Sequence, residues 1–243
     1  MTQRLCVLLP AYNEAANIAR VVADVRAVEI AGIEITALVV NDGSKDDTAQ
    51  LAQRAGATVL SHPKNRGVGA GFRTGVEWAV AQGFDFLIHM DSDGQVLPSE
   101  IALVAGPVLR GEADLSLGSR FEGEPPENLD RWKAVALRSL ARIIGLMTGY
   151  RLNDLSCGFR CMNRRIMEVV HPTYDYDYIQ ETLIQALAAR ARLVAVPITV
   201  LYEKEPARAG MSGQTFRYSR RFMALTAHSM FNFYRQRIGG ARS

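Results

Sequence analysis

Cysteine is scarce in this chain: Cys6, Cys157 and Cys161 are the whole set among 243 residues. Three unpaired positions without metal-ligand or disulfide spacing exclude a stapled secreted scaffold and fit a reduced, intracellular compartment. Long apolar runs are missing too. None approaches the roughly 18 residues that a membrane-spanning helix needs. The N-terminus carries neither the apolar core nor the cleavage site of a signal peptide. Net charge is small: 28 Lys and Arg against 25 Asp and Glu leave +3, too little to argue for nucleic acid as a partner. Internal repeats and low-complexity tracts are also lacking, which leaves no case for a solenoid or a disordered linker. The expectation is a cytoplasmic protein that touches a membrane, if at all, from the cytoplasmic face only.

Hydrophobic residues make up 48% of the chain, enough for a full core. Short apolar runs at 5–10, 35–40, 58–60, 84–90 and 114–117 alternate with helical stretches at 14–28, 46–55, 69–82 and 99–109. Near-continuous apolar strands separated by helices predict an α/β fold, a mainly parallel sheet covered on both faces. Ligands of such sheets bind beyond the carboxyl ends of the strands. The stretch EGEPPENLD at 122–130 breaks the pattern and reads as a seam. It divides residues 1–213 into a nucleotide half (about 1–121) and an acceptor half (130–213). Helices are expected at 132–148 and 178–191, a turn at 153–158 and a strand at 193–202. A C-terminal amphipathic helix and tail fill 214–243.

Polar residues gather at the expected strand ends. Asp91-Ser92-Asp93 follows the fourth run directly, so two carboxylates can turn toward one ion, and Gln95 adds a third oxygen. Hard oxygen donors of this kind suit Mg²⁺ or Mn²⁺ bridging to substrate phosphates. A second Asp-x-Asp, Asp175-Tyr176-Asp177, precedes a helix and reads as N-capping and first-turn charge. Asn41-Asp42-Gly43-Ser44 ends the second run. Asp42 can accept hydrogen bonds from a ribose or base, or the segment can be a plain strand-to-helix turn capped by Ser44 or Asp46. Pro10-Ala11-Tyr12-Asn13-Glu14 ends the first run in the same way. Asn65-Arg66-Gly67-Val68-Gly69-Ala70-Gly71 lacks the Lys-Ser/Thr of a phosphate-binding loop and reads as close backbone approach at a helix start.

Taken in order, PAYNE, NDGSKDDT, DSDGQ, Gly118-Ser119-Arg120 and Asp154-Leu155-Ser156-Cys157-Gly158-Phe159-Arg160 resemble family 2 glycosyltransferases. Within that family the chain is most similar to the branch of dolichol-phosphate mannose synthases and other polyprenyl-phosphate glycosyltransferases, over about residues 4–215. The resemblance implies a GT-A (Rossmann-like) fold and an inverting, metal-dependent transfer from a GDP- or UDP-sugar to a polyprenyl phosphate. It implies that Pro10, Tyr12, Glu14, Val40 and Asp42 hold the nucleoside, that Asp91, Asp93 and Gln95 hold the metal, and that Arg120 meets the diphosphate or sugar. Ser92 and Arg208 complete the expected donor site. A metal and a fixed Arg aimed at the departing diphosphate are also what the chemistry asks for. On the acceptor side stand Ser156, Arg160, Gln180 and Ser212. Asp154 and Glu181 are the candidates for a general base if the acceptor is a hydroxyl. A phosphate acceptor arrives ionised and needs none.

The branch pattern Arg, two residues, Gly, one residue, Ser-Lys reads here as Arg208-Ala209-Gly210-Met211-Ser212-Gly213. The arginine sits one place closer to the glycine, and the lysine is gone, with Lys204 and Arg217 its nearest substitutes. Instead of hydrophobic spans, the last segment places an aromatic and aliphatic face between arginines, suited to a membrane interface or to packing and dimerisation. Three alternatives stand beside this reading: the same chemistry on a soluble hydroxyl, a nucleotide-sugar pyrophosphorylase, and a non-catalytic nucleotide-sugar-binding module.

Overall fold

The apolar runs become strands of one seven-stranded sheet in the order β3-β2-β1-β4-β6-β5-β7. The structure is a computed structural model and describes residues 2–122, 131–175, 178–201 and 233. β1 (Gln3–Ala11), β2 (Ile33–Asn41), β3 (Thr58–Ser61) and β4 (Phe86–His89) are parallel neighbours, and β5 (Leu115–Ser119) pairs in parallel with β7 (Leu193–Pro197). The exception is β6 (Arg160–Asn163), which runs antiparallel between β4 and β5.

Alternation along the strands splits the core into two layers. Leu5, Val7, Leu9 and Ala11 face one side with Ala37 and Val39, against α1 (Ile18–Arg26), α2 (Thr48–Arg54) and α4 (Ile101–Leu109). Cys6 and Leu8 face the other with Leu38 and Val40, against α3 (Val68–Ala81), α5 (Arg131–Thr148) and α7 (Tyr178–Ala188). A strand buried on both faces has no polar side to show, which is why these runs read as continuously apolar. The helix α6 (Arg164–Met167) follows β6 directly, its start capped by the Asn163 side chain accepting from Ile166 N–H.

Two expected helices are shorter than their periodicity. α1 starts at Ile18 rather than residue 14 because the preceding residues are laced to the loop after β2. Glu14 N–H donates to Thr48 Oγ1, Ala15 N–H to Asp46 Oδ2, and Lys45 N–H to Asn13 Oδ1. α7 ends at Ala188, two residues before Arg190 takes a left-handed φ of 57°. The two expected halves share this one sheet, with β6 and β7 of the second half paired to β4 and β5 of the first. The expected C-terminal helix falls outside the described residues, apart from the buried, helical Phe233.

Candidate active site

The parallel strands β1, β2, β4 and β5 all end at one edge of the sheet. Because β6 runs the opposite way, it begins there: His89 at the end of β4 pairs with Arg160 at the start of β6. The reversal brings the loop 154–159 to the edge where the polar segments 10–14, 41–44, 91–95 and 119–120 lie.

Ser92 is buried and donates from Oγ to the Pro10 carbonyl at 2.7 Å, joining the carboxylate segment to the end of β1. Asp93 Oδ1 accepts the Gln95 N–H at 2.9 Å, a tight local turn helped by Gly94 at φ 79°. The Gln95 carbonyl accepts from Leu201 N–H at 2.8 Å, closing the segment against the chain after β7. Asp91 differs from its neighbours. Its half-buried carboxylate makes no hydrogen bond or ion pair among the described residues. A half-buried carboxylate without a donor is an acceptor set open to a cation. No three His, Cys, Asp or Glu side chains converge as a metal cage among the described residues.

Behind Asp91, His89 is buried with both ring nitrogens bonded, Nδ1 to the Gly158 carbonyl at 2.6 Å and Nε2 to Tyr178 Oη at 2.8 Å. Burial pulls its pKa down, while the nearby Asp91 charge pushes the other way. Burial likewise holds the Tyr178 phenol well above its ordinary value, so it remains a donor.

Arg120 and Asp154 form a forked pair. Nε donates to Oδ2 at 2.7 Å and Nη2 to Oδ1 at 2.8 Å, while Nη2 also reaches Ser156 Oγ at 2.6 Å. The Asp154 side chain is only 1% exposed and that of Arg120 14%. Oδ1 of Asp154 also accepts the Ser156 N–H at 3.1 Å. Arg160 is buried, and among the described residues no carboxylate is bonded to it. Its guanidinium gathers the carbonyls of Leu155, Cys157 and Ile179 instead, and burial lowers its pKa. Glu181 is equally occupied: Oε2 accepts N–H from Thr173 at 2.8 Å and Tyr174 at 3.1 Å. Gln180 lies one residue before it, and its buried Oε1 has no hydrogen-bond partner among the described residues.

The sequence profile of Glycosyl transferase family 2 matches residues 6–171. The chain belongs to that family. Among curated relatives, it is 29% identical over 227 residues to the polyprenol monophosphomannose synthase of Mycolicibacterium smegmatis, covering 89% of this chain and 84% of the relative. It is 28% identical over 218 residues to the UDP-N-acetylglucosamine–dolichyl-phosphate N-acetylglucosaminyltransferase of Methanococcus voltae, covering 81% and 85%. Among solved structures, it is similar in fold to the Mycobacterium tuberculosis glucosyl-3-phosphoglycerate synthase in complex with Mn²⁺, UDP-glucose and phosphoglyceric acid. That match has a TM-score of 0.71 at 21% identity, covering 94% of this chain and 80% of that one. The protein is therefore a family 2 glycosyltransferase of GT-A fold, an enzyme that uses a nucleotide sugar.

Several expected site residues of this glycosyltransferase do more for the protein's own loops than their positions suggested. Asp42 was expected at the nucleoside, yet it is buried and its four lone-pair directions are taken. Oδ1 receives His62 Nδ1 at 2.6 Å and Arg66 N–H at 2.9 Å, and Oδ2 receives Arg66 N–H at 3.1 Å and Gly67 N–H at 2.7 Å. The carboxylate folds the 62–67 loop over the end of β2. Val40 is buried in the sheet, whereas Tyr12 stands 41% exposed at the edge. Glu14 Oε2 accepts from Asn17 Nδ2 at 3.2 Å. The close approach expected at 65–71 is to backbone: a Cβ on Gly69 would sit 2.3 Å from the Tyr174 carbonyl. Asp175 of the second Asp-x-Asp pairs with Arg73 at 2.6 Å, tying that loop to α3 rather than capping a helix, and Asp177 lies outside the described residues. So do Lys204, Arg208, Ser212, Gly213 and Arg217. His62, His89 and Tyr178 carry roles that local sequence did not flag. The cysteines are buried, and desolvation pushes the Cys157 thiol up to about 12 and Cys6 and Cys161 higher still. None of the three is a nucleophile.

Proposed function

We propose that this enzyme transfers a sugar from a GDP- or UDP-sugar to a polyprenyl phosphate. The observation that carries the acceptor class is the state of the two carboxylates placed to act as a base. Both oxygens of Asp154 are held by Arg120, and Glu181 is held by two backbone N–H groups. Neither is free to take a proton from an acceptor hydroxyl. A phosphate monoester is already ionised and attacks without that help. The similarity to enzymes named for polyprenol and dolichyl-phosphate acceptors points the same way.

In this reading Asp91, with Asp93 and Gln95 beside it, holds Mg²⁺ or Mn²⁺. A divalent cation there supplies charge neutralisation to the departing diphosphate. Arg120, fixed in its fork by Asp154 and Ser156, is the cation aimed at the same diphosphate. Pro10, Tyr12, Glu14 and Val40 line the nucleoside end, with Tyr12 supplying an exposed ring, and Asp42 acts through the loop it folds. Ser156, Arg160 and Gln180 shape the acceptor side, where Arg160 braces the loop from within. The lipid phosphate is met at a membrane surface in this reading; among the described residues no helix is long and apolar enough to cross a membrane.

The test is release of nucleoside diphosphate from a panel of UDP- and GDP-sugars, with and without a short polyprenyl phosphate. EDTA and the Asp93→Ala variant serve as controls. Turnover that needs the lipid phosphate and the metal, and is lost in Asp93→Ala, is the expected result. Equal turnover on a soluble alcohol acceptor, with a rate that falls on the acidic side of its pH profile as a base is protonated, would replace the phosphate acceptor by a hydroxyl. Release of pyrophosphate would replace the transferase by a pyrophosphorylase.

A further inference from the structure

A neutral hydrogen-bond relay stands directly behind Asp91. A carbonyl only accepts, so the 2.6 Å contact between His89 and the Gly158 oxygen places the imidazole proton on Nδ1. Nε2 is then a bare lone pair, and the 2.8 Å contact with Tyr178 requires the phenol to donate. The relay runs from α7 through the end of β4 to the backbone of the 154–159 loop. It is encased in rings, His89 lying edge-on to Phe72 at 5.4 Å and to Tyr178 at 5.7 Å. The imidazole itself is buried.

The far end of this relay lies beside the carboxylate. A Cβ on Gly158 would lie 3.1 and 3.2 Å from the two oxygens of Asp91, and 3.2 Å from His89 Cε1. The Gly158 backbone therefore lies close enough that even a Cβ would crowd the Asp91 carboxylate. Among the described residues Asp91 has no hydrogen bond to fix its orientation, so its aim depends on where that backbone stands. The same loop carries Asp154, whose carboxylate forks Arg120. Moving Gly158 would displace the carboxylate on one side and the arginine's partner on the other.

We infer that His89 is a positioning residue: its bond to the Gly158 carbonyl locks the 154–159 loop against Asp91 and so sets the orientation of that carboxylate toward a divalent cation. This rests on the assignment of Asp91 to the metal. Partners that orient a ligating group commonly change metal affinity by about 10- to 100-fold when removed.

The experiment is Mn²⁺ titration by electron paramagnetic resonance in the presence of nucleoside diphosphate, on wild type and four variants. His89→Asn retains an N–H near the Nδ1 position and keeps an affinity close to wild type. His89→Gln and His89→Phe lose the bond to Gly158 and weaken Mn²⁺ by about 10- to 100-fold. Tyr178→Phe removes one hydroxyl with little change of shape. It weakens Mn²⁺ by less, because the His89–Gly158 bond survives. Thermal unfolding establishes that each variant is folded. The nitrogen-15 shifts of His89 report the Nδ1–H tautomer independently of the metal. Unchanged Mn²⁺ affinity in folded His89→Gln, or an Nε2–H tautomer in wild type, would overturn the role. Failure of wild type itself to bind Mn²⁺ would overturn the metal assignment and the role with it.

Discussion

Replacing Asp154 by Asn separates a base from a brace. The fork between Arg120 and Asp154 joins a carboxylate 1% exposed to a guanidinium 14% exposed. Asn keeps the size but loses the charge and turns one acceptor into a donor facing guanidinium N–H groups. Breaking a buried pair from one side costs about 3–5 kcal/mol, and the partial exposure of Arg120 argues for the lower end, about 3 kcal/mol. In a chain of this size each kcal/mol moves the midpoint by about 2–4 °C, so thermal unfolding of Asp154→Asn is expected about 6–12 °C lower. Removing both charges together, as Arg120→Met with Asp154→Leu, recovers much of that loss, because the penalty lies in a buried cation that has lost its forked carboxylate. Activity falls in both, since Arg120 is either misplaced or gone. Nucleoside diphosphate affinity falls in parallel, as isothermal calorimetry would record. A general base would behave otherwise. Asp154→Asn with wild-type stability and wild-type diphosphate affinity, but no turnover, would refute the brace and restore the base.

Two further expectations follow from packing and charge elsewhere. Asp114 is bonded by Arg192, Arg165 and Asn163, and the Arg192 guanidinium foremost holds its carboxyl far below the ordinary range. A depressed carboxylate gives its full stabilisation above the unfolded-state pKa of about 3.9 and loses it as pH falls toward the folded-state value. The stability gap between wild type and Asp114→Asn should therefore be constant at neutral pH and shrink below about pH 4 in denaturant titrations. A gap independent of pH down to acid unfolding would contradict the pairing. Gly75 lets α3 lie on β1: a Cβ there would fall 2.2 Å from Leu8 Cδ1. Gly75→Ala should cost about 1–3 kcal/mol by overpacking, measured by urea unfolding, and no loss would mean that the helix has room to shift.

The α/β architecture and the line of strand ends were legible because burial on both faces forces apolar runs, and because the polar segments fall where those runs stop. The antiparallel strand β6 was not legible. Arg160–Asn163 has four residues, begins with a charge and shows no alternation, so nothing local distinguishes it from the loop before it. Its direction is a property of the space between β4 and β5. The internal bonds of Asp42 were hidden for a related reason. A polar residue ending a strand looks free to meet a ligand, but its partners His62, Arg66 and Gly67 lie 20 to 25 residues further along. Gly67, at φ 93°, was the one hint that the backbone there turns sharply enough to offer its N–H groups.

The same nonlocality explains why the site can be assembled from such ordinary residues. In a wholly parallel sheet every loop at the ligand edge leaves a strand, and each polar segment is free to move about its own strand end. Reversing one strand brings a loop in from the opposite sense, so 154–159 enters the edge already anchored by Arg160 at the start of β6. Three bonds then tie that loop sideways: Asp154 to Arg120 after β5, the Gly158 carbonyl to His89 at the end of β4, and Arg160 to the Ile179 carbonyl in α7. Each reaches a different element, so the loop is held with little freedom while Asp91, beside Gly158, has no hydrogen bond among the described residues. In the proposed reading that gives Asp91 to a cation, a carboxylate without hydrogen bonds has none that the cation would have to break.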